Sequence, residues 1–123
     1  MIKRSQELFI QDILDVIDGI YDFVAGMSED DFFADKKTQA AVIHHFQIIG
    51  EAAKNLSADL KRKYPQVVWK KITGIRNILV HEYFGVQLKT IWDTIKNDLP
   101  DLKEKITQIM KDSDFGRQKK LLH

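Results

Sequence analysis

The chain has no cysteine among its 123 residues. Disulfides, thiolate metal sites and thiol nucleophiles are excluded together, and a reducing compartment fits. Two prolines and six glycines leave few points at which a helix must break. No apolar run approaches the ~20 residues that a bilayer span requires. The N-terminal "MIKRSQELFIQDILDVIDG" sets acids at every helical turn, so the continuous apolar stretch of a secretory signal is missing. A cytoplasmic protein with no membrane partner is the expectation. Sustained period-two alternation bounded by turn residues is also absent, which leaves no strand to assign.

What is present fits one helical domain. The length is that of a single unit able to bury its own core, and 44% hydrophobic with 30% charged residues is ordinary for a globular chain. The net charge of +1 hides a division: residues 1–35 carry two Lys/Arg against nine Asp/Glu, whereas residues 36–123 carry 17 against nine. That polarity permits an anionic partner on the basic side and equally fits solvated helix faces of opposite sign.

Apolar residues at helical spacing predict a first helix over about 4–26 carrying Leu8, Ile10, Ile13, Leu14, Ile17, Ile20, Tyr21 and Val24. Gly26 ends it, and Ser28 is placed to cap a short turn after it. A second helix over about 36–56 is expected to bury Ala40, Ile43, Phe46, Ile49, Ala53 and Leu56. "SADLKRKYPQ" reads as a polar connection with room for one helical turn before Pro65. A third helix follows from Trp69 to Tyr83, with Gly85 as its stop. The last runs from Leu88 through Ile91, Trp92, Ile95, Leu99, Leu102, Ile106 and Ile109, and Pro100 should kink or divide it. The fold class is therefore all-α, an antiparallel bundle of four to five helices over residues 1–113, with a basic tail "DFGRQKKLLH" at 114–123.

Within the third helix, "GIRNILVHEYF" places charged and hydrogen-bonding groups in a strongly apolar stretch. At about 100° per residue with Arg76 at zero, Ile72, Ile75, Ile78 and Leu79 span roughly 200° to 320° and face the core. Thr73, Gly74, Asn77, Val80 and His81 fill the remaining arc, with Arg76 and His81 at its edges, and Tyr83 returns near Arg76 two turns on. Gly74 has no side chain, so a backbone, a partner helix or a ligand can approach closely there. No acid stands at i±3 or i±4 from Arg76 or His81, so a local ion pair does not explain them. Taken singly, a solvated Arg76, a His81 favoured by the helix dipole and a Tyr83 at the core edge are the commoner explanations.

The blocks "DKKTQAAVIHHFQIIGEAAKNLS" and "YPQVVWKKITGIRNILVHEYFGVQLKTIWDTIKNDLPDLKEKI" resemble, in order and spacing, the HepT-like branch of the HEPN superfamily of small all-helical ribonuclease toxins. The family motif is an arginine, a polar residue directly after it, and a histidine four to six positions beyond the arginine; Arg76, Asn77 and His81 match it. The resemblance implies a homodimer whose motif helices face each other over one cleft that takes RNA. Arg76 and His81 would be catalytic there and Asn77 supporting. It further implies a minimal nucleotidyltransferase antitoxin that silences the toxin by O-adenylylation of Tyr83, the tyrosine two places after the histidine. Glu51, in "IIGEAAK", matches a recurring block and would support the site. Neither cofactor nor metal is implied.

Two other readings compete. Some members of the superfamily are non-catalytic subunits that bind a nucleotidyltransferase or a nucleotide, although a pure binder has no need of the titratable His81. A metal held by His44 and His45 with His81 is disfavoured: adjacent helix positions point about 100° apart, and the usual i, i+4 ligand pairing is missing. Trp69, Trp92, Phe84 and Phe46 stand at core spacing and are expected to pack rather than stack on bases.

Overall fold

The computed structural model describes residues 5–81 and 88–112, with the side chains of residues 5–75 and 88–112. Among these residues the secondary structure is helical throughout: α1 (Gln6–Val24), α2 (Glu29–Ala34), α3 (Lys36–Lys54), α4 (Ala58–Lys63), α5 (Trp69–His81), α6 (Leu88–Asp93), a π-helical segment (Thr94–Asp98) and α7 (Leu99–Lys111). The expected helix stop at Gly85, the aromatic Phe84 and the tail 114–123 lie outside the described residues.

The starts of α1 to α4 are written in short polar side chains, Ser5, Ser28, Asp35 and Ser57. Ser5 Oγ accepts the Leu8 N–H to open α1. Ser28 caps α2 as expected, and Asp31 reaches back to the Ser28 N–H, completing a capping box. Asp35 closes α2 and opens α3, where Gln39 Nε2 also donates to the last carbonyls of α2, Phe32 O at 2.9 Å and Phe33 O at 3.0 Å. Gly26, at φ 75°, supplies the left-handed turn after α1.

Ile10, Ile13, Ile17 and Ile20 of α1 are fully buried. At about 1.5–3 kcal/mol for each such aliphatic side chain, this face dominates the docking of α1. The exposed Asp18–Lys103 ion pair to α7, at 2.8 Å, adds little beside it. The central helix is α3, which packs against α1 on one side and α5 on the other, while α7 covers α1. The N–H of Ser57, just past α3, donates to Gln6 Oε1 at the start of α1 at 2.7 Å, and His45 of mid-α3 meets Phe23 near the end of α1. The two helices are therefore antiparallel. Short α2 spans from α3 to α6, pinned by Phe32 against Trp92 at a centroid distance of 5.4 Å.

Three expectations are corrected. Ala40 is exposed rather than buried, and Leu8 is 47% exposed. Leu8 stands about 200° round from Ile10 and so faces away from the core. Leu56 is buried as expected, but α3 ends at Lys54, so Leu56 packs from the turn after it. The division near Pro100 is borne out in a particular form. Pro100 has no N–H and stands at the second position of α7, and the turn before it widens so that the Leu99 N–H reaches Thr94 O.

Candidate functional site

The candidate site is carried by α5, and its entry is fixed by Trp69. The Trp69 indole N–H donates to Tyr64 O at 3.1 Å across the turn that contains Pro65, and the ring is buried. Ile72 is buried one turn on, and Ile75 packs partly buried against the core. Trp69, Ile72 and Ile75 thus set the side of α5 that faces α3.

α5 is unbroken from Trp69 to His81. Arg76, Asn77 and His81 therefore share one helix, Arg76 and His81 being ~7.5 Å apart along its axis and about 140° apart around it. Their side chains, and Tyr83 altogether, lie outside the described residues. The helical register refines the strip read from the sequence. Trp69 stands within about 20° of Arg76 around the helix, so the buried side of α5 reaches the angular position of Arg76. Asn77 and His81 continue the line of Lys70 and Gly74 on the opposite side.

The space expected at Gly74 is present. Among the described residues, no atom comes within 4 Å of a Cβ built on Gly74. Thr73 beside it keeps a low profile, its hydroxyl donating to the backbone oxygens of Trp69 at 3.2 Å and Lys70 at 3.1 Å. Lys70 is exposed one turn before Gly74, and the sequence assigned it no role; its place about 160° round the helix from Ile72 was the available signal. Glu51 is half-buried on α3, the helix against which α5 packs.

His44 and His45 separate as helix geometry requires. His44 is exposed, whereas His45 sits between helices, with Nδ1 3.0 Å from Ala41 O and its ring edge-on to Phe23 at 4.7 Å. Among the described residues no three His, Asp or Glu side chains are grouped to hold a metal ion, and no helix is long and apolar enough to cross a membrane. Trp69, Trp92 and Phe46 are buried in the core, as their spacing predicts.

An all-helical bundle with an arginine, a polar residue and a histidine spaced along one edge helix defines a narrow class. The description "Ribonuclease HepT-like" matches residues 13–109, and the chain belongs to that family. It is 42% identical over 109 residues to "Probable ribonuclease HepT" of Thermococcus cleftensis, covering 89% of this chain and 99% of that protein. It is 45% identical over 112 residues to a "Putative RNase" of Methanocaldococcus jannaschii, covering 91% and 93%. A further "Putative RNase", from Caldanaerobacter subterraneus subsp. tengcongensis, is 37% identical over 107 residues, covering 87% and 96%. No solved structure matches the chain.

Proposed function

We propose that the protein is a metal-independent endoribonuclease, the toxin of a toxin–antitoxin pair, acting in the cytoplasm as a homodimer. The observation that carries this is the unbroken α5, which holds Arg76, Asn77 and His81 at the motif spacing of the family to which the chain belongs.

In this reading the ribose 2′-oxygen attacks the adjacent phosphorus and the 5′-oxygen leaves, giving a 2′,3′-cyclic phosphate and a 5′-hydroxyl. One group takes the 2′ proton and another protonates the leaving oxygen. A histidine, with an ordinary pKa near ~6.5, serves either purpose at neutral pH, so His81 of two copies divides the roles. Arg76 remains charged and offers a planar fork to the phosphorane oxygens. Asn77 orients phosphate or imidazole, and Glu51 supports the site from α3. Positions about 140° apart on one helix converge poorly on a single phosphate, which favours a cleft completed by a second α5.

His81→Ala is the direct test: cleavage of an RNA substrate should fall on the order of 10²-fold or more. Cleavage at the wild-type rate would leave the protein as a binding subunit only.

For control, a minimal nucleotidyltransferase transfers AMP from ATP to the Tyr83 phenol oxygen, releasing pyrophosphate. The added anion competes with substrate phosphate for Arg76 by charge and volume. After co-expression with such a partner, intact mass should rise by one AMP, and Tyr83→Phe should abolish the gain. Persistence in that variant moves the acceptor elsewhere.

A further inference from the structure

Glycine is, proline apart, the residue least favourable to a helix interior, and Gly74 stands in the middle of α5. Nothing within the described chain requires it, because a Cβ there would meet open space. Nor does the turn need it, since the only positive-φ residue among those described is Gly26. An external body that must come close to the α5 backbone supplies the missing reason.

The charge around Gly74 identifies that body. Between Trp69 and His81 the chain has Lys70, Lys71 and Arg76 and no acid. Lys71 is drawn to Asp98, 3.9 Å away. Lys70 is exposed and has no acidic partner among the described residues. Counting about 100° per residue, Lys70, Gly74, Asn77 and His81 lie within roughly 60° of one another, diametrically opposite Ile72. Two copies of α5 facing each other across a cleft bring these like charges near one another, and a polyanion lying between them is attracted to both.

We propose that single-stranded RNA lies along this outer stripe of α5, with Lys70 binding a phosphate away from the scissile one and Gly74 clearing the path of the ribose-phosphate backbone. This rests on the ribonuclease reading for the identity of the strand. Lys70 and His81 are ~16 Å apart along the axis, a length covered by no more than about five nucleotides. Lys70 is a binding residue that sets where the strand enters, outside the acid–base chemistry.

The test uses the full-length protein and a fluorescent single-stranded oligonucleotide with 2′-O-methyl groups throughout, which lacks the nucleophile and stays intact. Binding is followed by anisotropy over a salt series, thermal midpoint by melting, and mass by light scattering. Lys70→Gln should weaken binding about 3- to 10-fold at low salt and flatten the log–log salt slope by about 0.7, the value of one phosphate contact on a single strand, without moving the midpoint. Gly74→Ala should raise the midpoint by about 3 °C. Gly74→Gln should fold as well as wild type yet bind at least 10-fold more weakly. Unchanged affinity and slope in Lys70→Gln, or wild-type binding by Gly74→Gln, overturns the proposal. So does a Gly74→Gln chain whose mass changes while its RNA affinity does not, because the stripe is then a protein–protein surface. Lys70-dependent binding in a protein that cuts no RNA would keep this proposal and remove the nuclease reading.

Discussion

Gly19 of α1 lies directly beneath the imidazole of His45 on α3: a Cβ at position 19 would stand 2.8 Å from His45 Nε2 and 2.9 Å from Cδ2. The ring cannot withdraw freely, since Nδ1 is tied to Ala41 O at 3.0 Å and Phe23 lies edge-on at 4.7 Å. The glycine makes room for the ring between α1 and α3, and it converts a helix-weakening residue into a packing surface.

Gly19→Ala therefore sets two effects against each other. Better helix propensity is worth up to ~1 kcal/mol, and overpacking a fixed ring costs about 1–3 kcal/mol. The net expectation is destabilisation of about 1 kcal/mol, read as a lower urea midpoint. In the double variant with His45→Ala the alanine at 19 should no longer be harmful, a coupling of roughly 0.5 kcal/mol or more. Equal effects of Gly19→Ala in both backgrounds would show that the contact is not the cause.

A pH dependence follows from Asp35. The Thr38 N–H at 3.0 Å and then the Thr38 hydroxyl at 2.8 Å hold its carboxylate below the usual range. A depressed carboxyl stabilises the fold above its unfolded pKa, and that contribution is lost as pH falls through the folded value. Asp35→Ala should melt below wild type at about pH 7, and the gap should close as the pH drops below ~4. Parallel melting curves down to about pH 2.5 would mean that the ionised cap is not what the alanine removes.

Cleavage, if it runs through Arg76 and His81 alone, should survive excess chelator and fail on a strand with deoxyribose at the scissile position. The first expectation follows because no step needs a Lewis acid, the second because the attacking 2′-oxygen is gone. Loss of activity on chelation, restored by a divalent cation, would exclude the mechanism given.

Much of the fold was legible in the sequence because it is written locally. Ile10, Ile13, Ile17 and Ile20 repeat at helical spacing, and all are fully buried. Ser28 reads as the cap of a short turn and caps α2, and the structure adds the return bond from Asp31. Ala40 was not legible, since so small a side chain is compatible with either face of an amphipathic helix, and it proves exposed. The break in the last helix was readable from Pro100, but the path by which the chain relieves it, a widened turn back at Thr94, was not.

By itself the sequence determined the helices, their caps, and the spacing of Arg76, Asn77 and His81, because each depends on residues within a turn or two of one another. Only the tertiary structure decided that the space above Gly19 is filled by His45, whereas no described atom comes within 4 Å of a Cβ at Gly74. Two glycines in helix interiors look alike along the chain, and what occupies the space above each depends on which residues distant in sequence the packed helices bring there.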